Sequence, residues 1–152
     1  MQVIGYADIF ISVAAVADYR PLTAAQQKIK KADPEISLDL VRNSDILAAV
    51  AALPDAPFTV GFAAETEALE VNAQHKREAK SIDMIAANVV GNDQGFECED
   101  NALHVFWDQG ERRLPHADKT KLARQLIAVI AGQADTGNFQ GKVVRFDAKD
   151  SA

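Results

Sequence analysis

Three short apolar runs, each closed by polar residues, set the rhythm of this chain. Ile9-Phe10-Ile11 continues in small residues to Ala17 and stops at Asp18-Tyr19-Arg20-Pro21. Phe58-Thr59-Val60-Gly61-Phe62-Ala63-Ala64 stops at Glu65-Thr66. The third run begins Asp83-Met84-Ile85-Ala86-Ala87, ends at Asn88 to Val90 and gives way to a glycine-containing loop. Short apolar runs bounded by turn signals predict strands buried on both faces. Pro21 has no N–H for a continuing ladder, so the first strand, expected over residues 9–17, is over by that point. Asp18 then falls at or just past its carboxyl end, and Phe62 and Glu65 fall near that of the second. In open α/β sheets ligands bind at this edge. The small residues Ala14, Ala15, Ala17, Gly61, Ala63 and Ala64 would let a flat ligand approach the backbone. On the first stretch alone, an Asp18 that caps a turn among tightly packed alanines is the simpler reading.

Between the strands the apolar spacing lengthens. Ile46, Leu47, Val50 and Leu53 follow Asn43-Ser44-Asp45, which predicts a helix capped by Ser44 or Asn43, with Asp45 in its first turn. The free N–H groups of such a start can hold an anion, although an ordinary cap explains the pattern as well. A second helix is expected from Leu69 to about Ser81. Leu69, Ala73, Lys76 and Lys80 are four, three and four apart, so the two lysines prolong the apolar stripe. They either complement the helix dipole in its last turns or meet an anion. Ile36 to Arg42 alternates with period two, as a half-exposed strand does. Leu103–Trp107 and Arg112–Leu114 flank Asp108-Gln109-Gly110 as a β-hairpin. Asp118 caps a last helix that carries Leu122, Leu126, Ile127 and Ile130 on one face. Thr23 to Lys31 is a short helix or a flap. Its lysines, Lys28, Lys30 and Lys31, are a solvated run or a grip for an anion. Alternating strands and helices predict an α/β domain with a mainly parallel sheet over residues 1–132. Residues 133–152 read as a poorly ordered tail, with an added edge strand at Val143-Val144 as the lesser possibility.

Composition narrows the classes. The 152 residues suit one domain with a real core, 48% apolar and 25% charged. A net charge of −6 disfavours non-specific binding to nucleic acid or an anionic membrane. The single cysteine, Cys98, excludes an intrachain disulfide, and a reducing cytoplasm is the simplest setting. No run is long and apolar enough to span a bilayer, and the first residues lack the pattern of a signal peptide. A dinucleotide fingerprint, a Walker loop and a His–Glu pair at zinc spacing are all missing, which argues against a Rossmann-type reductase. His75, His104 and His116 read as surface or packing residues, and Cys98 as incidental.

One set of motifs, taken in order, resembles the phosphopantothenoylcysteine synthetases of coenzyme A biosynthesis. It comprises Ala14-Ala15-Val16-Ala17-Asp18-Tyr19-Arg20-Pro21, Lys28-Ile29-Lys30-Lys31, Asn43-Ser44-Asp45-Ile46, Gly61-Phe62-Ala63-Ala64-Glu65-Thr66, Lys76 with Lys80, Asp83-Met84-Ile85-Ala86-Ala87-Asn88 and Asn101-Ala102-Leu103. Each is weak alone; together, from about Ala7 to Ile130, they are specific. The resemblance implies a Rossmann-like fold and a homodimer. It implies a CTP-dependent ligase in which 4′-phosphopantothenate is activated as an acyl-cytidylate and then joined to cysteine, with Mg²⁺ assisting. It assigns nucleotide contacts to Ser12, Val13, Ala14, Asp18, Lys28, Ser44, Asp45, Ile46, Leu47, Phe62, Lys76 and Lys80. Lys28 is the family's flap lysine, which holds the anionic intermediate and is the expected catalytic residue. No metal ligands are assigned. Two features depart from the pattern: Ser44 stands where the family usually has proline, and the family's opening glycine-rich βα unit, with its catalytic asparagine, is not in this sequence. In bacteria the synthetase is usually the second half of a bifunctional protein whose flavin-dependent decarboxylase half would carry FMN. From this comes the expectation of a chain that acts as a ligase only with that opening unit, and otherwise binds nucleotide and dimerises without turnover.

Overall fold

The structure, a computed structural model, describes residues 4–29, 35–89 and 100–136. Its elements are β1 (Ile9–Ile11), β2 (Tyr19–Pro21), β3 (Leu40–Arg42), α1 (Ile46–Ala51), β4 (Phe58–Glu65), α2 (Leu69–Lys80), β5 (Met84–Val89), β6 (Asp100–Trp107), β7 (Gly110–Asp118) and α3 (Lys119–Thr136). The main sheet has the order β1-β4-β5-β6-β7. β1, β4 and β5 are parallel, and β6 and β7 are added antiparallel as the expected hairpin. This is the α/β arrangement anticipated from the run pattern and the Rossmann-like fold that the resemblance implies.

Alternation along the strands divides the core into two layers. Val60, Met84, Ala86, Val105 and Leu114 pack under Leu122, Leu126, Val129 and Ile130 of α3. Ala63, Ile85, Ala87 and Phe106 face the other way and pack with Ala73, Leu47 and Leu69 of the α1–α2 layer. β4 and β5 therefore read as nearly continuous apolar runs because both of their faces are covered. Gly61 allows a close approach of the sheet to α1 and to Ile82. A Cβ there would sit 2.8 Å from both the Ile82 Cδ1 and the Leu47 Cδ2 atoms.

The amino edge of the sheet is closed by a self-contained clamp. Asp83 Oδ2 accepts from the Thr59 amide and hydroxyl, both at 2.7 Å. The Asp83 amide donates back to Thr59 Oγ1 at 3.1 Å. His104, on the α2 face of β6, is also buried. It lies 4.0 Å from the Phe106 ring, with Glu70 and Glu111 at ion-pair distance on either side. His116 stands 3.5 Å from Asp100.

Several expectations are corrected. The first strand ends at Ile11, not at Ala17. The Ser12 amide still donates to the Val60 carbonyl at 2.9 Å, after which the small residues Val13 to Ala17 leave the sheet exposed. Asp18 thus does not end that strand but leads into β2, which pairs antiparallel with β3 as a separate ribbon. Pro21 lies inside this ribbon. The bonds fall at Asp18–Asn43 and Leu22–Asp39, so Pro21 takes a position whose missing N–H faces away from the partner. The cap of α1 is Asp45, neither Ser44 nor Asn43; its Oδ1 accepts from the Ala48 amide at 3.0 Å. On α3, Asp118 caps as expected, accepting from the Lys121 amide at 2.9 Å. The buried row there holds Val129, whereas Ile127 is exposed. α3 also runs past Gly132 to Thr136, so the tail reading of residues 133–136 gives way to helix. Lys30, Lys31, the loop after Val90, Cys98 and Val143-Val144 lie outside the described residues.

Candidate functional site

A cleft of about 790 Å³ opens at the carboxyl edge of β4 and β5. Four separate segments build it. Ser12 to Tyr19 form one wall where the chain leaves β1, and Arg42 to Leu47 form another, running from β3 into α1. Gly61 to Ala64 supply the floor, and Lys76 and Lys80 reach in from α2. Among the predicted site residues, Ser12, Val13, Ala14, Asp18, Ser44, Asp45, Ile46, Leu47, Phe62, Lys76 and Lys80 all line this one cleft. Lys28 does not; it is exposed on the stretch that follows β2.

The walls are small or apolar where they could be flat and charged where they could grip. Val13, Ala14, Ala15 and Val16 are exposed to the cleft, and Phe62 is 40% exposed at the floor. Asn43 joins the two walls and was not anticipated as a lining residue. Its Nδ2 donates to the Ala17 carbonyl at 2.7 Å and its Oδ1 accepts from Arg20 Nη1 at 3.0 Å. Its amide donates to the Asp18 carbonyl at 2.8 Å. Its signals in the sequence were its capping type and its place at the head of the Asn43-Ser44-Asp45-Ile46 motif. Asn88 and Asn101 complete the lining from β5 and β6.

The placement of Lys76 and Lys80 runs against the direction of their helix. α2 returns toward the amino edge, so its last turns point away from the cleft. Helical side chains lean back toward the helix N-terminus, however, and lysine is long enough to use that tilt. Lys76 Nζ thereby comes to 2.6 Å from Glu65 Oε1, at the end of β4. Lys80 Nζ donates to Asp45 Oδ2, at the start of α1. Partial burial pushes the Asp45 carboxyl up, but the hydrogen bonds from Lys80 and the Ala48 amide, the Lys80 charge and the Leu47 amide outweigh it. The group is held below the ordinary aspartate value. The first amides of α1 are therefore already served by their own cap, and α1 is only six residues long. The cationic residues of the cleft lining are Lys76 and Lys80, with Arg42 on the wall before α1.

Among the described residues, no three His, Cys, Asp or Glu side chains converge as a metal site. Among them, too, no helix is long and apolar enough to cross a membrane. What the cleft offers is a flat apolar wall, backbone groups in irregular segments and two ammonium groups. That combination suits a base and ribose joined to phosphates.

Comparison with known proteins places the chain in a family. Residues 1–133 match the family model of the DNA/pantothenate metabolism flavoprotein C-terminal domain. The coenzyme A biosynthesis bifunctional protein CoaBC of Vibrio vulnificus (strain YJ016) is 50% identical over 127 residues, which cover 81% of this chain and 32% of that protein. The CoaBC of Escherichia coli (strain K12) is 46% identical over 136 residues, 86% of this chain and 34% of that protein. The chain spans about a third of the length of these curated relatives. The crystal structure of the C-terminal domain of a CoaBC superposes with a TM-score of 0.69 at 29% identity, covering 89% of this chain and 59% of that one. The match covers most of the sequence and the fold, and the chain belongs to the family of DNA/pantothenate metabolism flavoprotein C-terminal domains.

Proposed function

We propose that this chain carries the nucleotide cleft of a CTP-dependent phosphopantothenate–cysteine ligase of coenzyme A biosynthesis. One observation carries the reading: eleven of the twelve residues assigned from sequence, drawn from separate segments, line a single cleft at the carboxyl edge of the sheet. In this ligation the carboxylate of 4′-phosphopantothenate attacks the α-phosphorus of CTP. Pyrophosphate leaves and an acyl-cytidylate forms. The amine of cysteine then attacks the acyl carbon and CMP leaves. The protein's part is positioning and charge stabilisation. The exposed wall from Val13 to Val16 and Phe62 would receive the flat base, and Lys76 and Lys80 would meet the phosphates. The nucleotide is expected as its Mg²⁺ complex.

A second reading follows from Lys28. The expected catalytic lysine lies off the cleft, so the 152-residue chain by itself would bind CTP without turning it over. A homodimer suits either reading. The ribbon and its flanks carry Tyr19, Leu22, Leu38 and Leu40 more than half exposed, an apolar surface that a second copy would cover. A reducing cytoplasm remains the proposed setting. Calorimetry with CTP and with ATP tests the nucleotide reading, and pyrophosphate release with 4′-phosphopantothenate and cysteine separates the two. Saturable CTP binding with no pyrophosphate supports the second reading, and turnover supports the first. Absence of CTP binding refutes both.

A further inference from the structure

Glu65 closes β4 and is 8% exposed. It does not line the cleft, whereas Lys76 does. Its Oε1 accepts from Lys76 Nζ at 2.6 Å and its Oε2 from Asn72 Nδ2 at 3.3 Å. Asn72 is fixed in turn, donating to the Glu67 carbonyl at 2.9 Å. The Lys76 side chain stays 47% exposed against 10% for Glu65. The pair between Lys80 and Asp45 differs, because both partners are partly open to solvent, 36% and 44%. A carboxylate as buried as Glu65 keeps its cation, because losing the partner strands a charge away from water. One of the three Lys76 N–H groups is spent on Glu65, and two remain for a ligand.

We infer that Glu65 is a positioning residue: it sets where the Lys76 ammonium stands, and through Lys76 it sets the affinity for the nucleotide phosphates. The inference rests on the nucleotide reading above. An untethered lysine loses rotamer freedom when it grips an anion, and a tethered one has less to lose. Glu65 also brings a negative charge near an anionic ligand, so charge and position must be separated in the test.

Glu65→Asp does so. It keeps the charge and shortens the arm by one methylene, so the ammonium is drawn back or let go. CTP affinity measured by calorimetry should fall about tenfold. Adding Glu65→Asp to a Lys76→Met background should cost less than about twofold, because the residue it acts through is gone. If Glu65 is only a counter-charge, Glu65→Asp binds like the wild type and Glu65→Gln binds more tightly, which overturns the inference. A similar loss in both backgrounds assigns Glu65 to packing and overturns it too. Asn72→Ala, on an exposed helix position, covers the case in which those variants do not fold. It should weaken CTP about two- to threefold by loosening Glu65, and unchanged affinity counts against the inference. If the wild-type chain binds no CTP, the nucleotide reading falls, and the tether is judged by nitrogen NMR of the Lys76 ammonium. A slowly exchanging signal lost in Glu65→Asp upholds the tether, and one that persists unchanged refutes it.

Discussion

The two edges of the sheet use the same residue types for opposite ends. At the amino edge, Asp83 and Thr59 exchange three hydrogen bonds between themselves, and Thr59 is 1% exposed. The Thr59 hydroxyl both donates and accepts within the pair and is used up there, while Asp83 stays exposed. At the carboxyl edge, Glu65 and Asp45 also hold partners, but those partners are lysines that remain partly exposed on the cleft. A carboxylate matched by groups that are themselves used up is structure. A carboxylate matched by a cation with donors to spare is a way of presenting charge. The comparison predicts that substitutions at one edge move stability and leave binding alone, and that those at the other do the reverse.

The sharpest way to break it is Lys80→Met. Removing the proposed phosphate contact should weaken CTP by about 1.5–3 kcal/mol, roughly ten- to a hundredfold. The melting free energy should move by less than about 1 kcal/mol, because the Lys80–Asp45 pair is partly exposed. Thr59→Val should give the mirror image. It keeps the shape, removes the hydroxyl from the clamp and should cost about 1–3 kcal/mol in urea unfolding, with CTP affinity unchanged. Ser81, just past α2 and beside the amino edge, has φ 52°. A side chain in that left-handed region is strained, so Ser81→Gly should stabilise by about 1 kcal/mol and again leave binding untouched. The smallest effect is at Asp45. Its folded carboxyl value is depressed, so the stability it adds is present above the unfolded aspartate value and lost as pH falls through the folded one. Asn caps a helix as well as Asp does. Asp45→Asn keeps the cap but loses the Lys80 pair, so it should be less stable than the wild type near neutrality by under about 1 kcal/mol, and the gap should close as pH falls below about 4.

Much of this was legible because both layers of the core leave marks in the chain. β4, β5, α2 and α3 follow from runs and spacings that burial on both faces or on one stripe requires. The ribbon was not legible. Its strands are three residues each, separated by eighteen residues, and they are held partly by Asn43, whose side-chain bonds no pattern announces. Asn43, Ser44 and Asp45 are all good capping types in a row, so composition cannot choose among them. The choice falls to Asp45 because its carboxylate serves the Ala48 amide and Lys80 together. Lys76 and Lys80 lie at the cleft although α2 runs away from it, because the length and tilt of a helical lysine outweigh helix direction. Val129 lies seven positions after Leu122 and so joins its stripe, whereas Ile127, one position past Leu126, is turned about 100° away and stays exposed. Lys28 shows the other limit: a motif can be recognised without its place in space.

Amide chemical-shift mapping with CTP tests the cleft most directly. With the ¹⁵N-labelled chain, titration should perturb the amides of Ser12 to Ala17, Ser44 to Leu47 and Phe62 to Ala64 along one saturable curve, while Thr59 and Asp83 stay still. Perturbation centred on the Thr59–Asp83 edge, or no saturable shift at the carboxyl edge at millimolar CTP, would contradict the account.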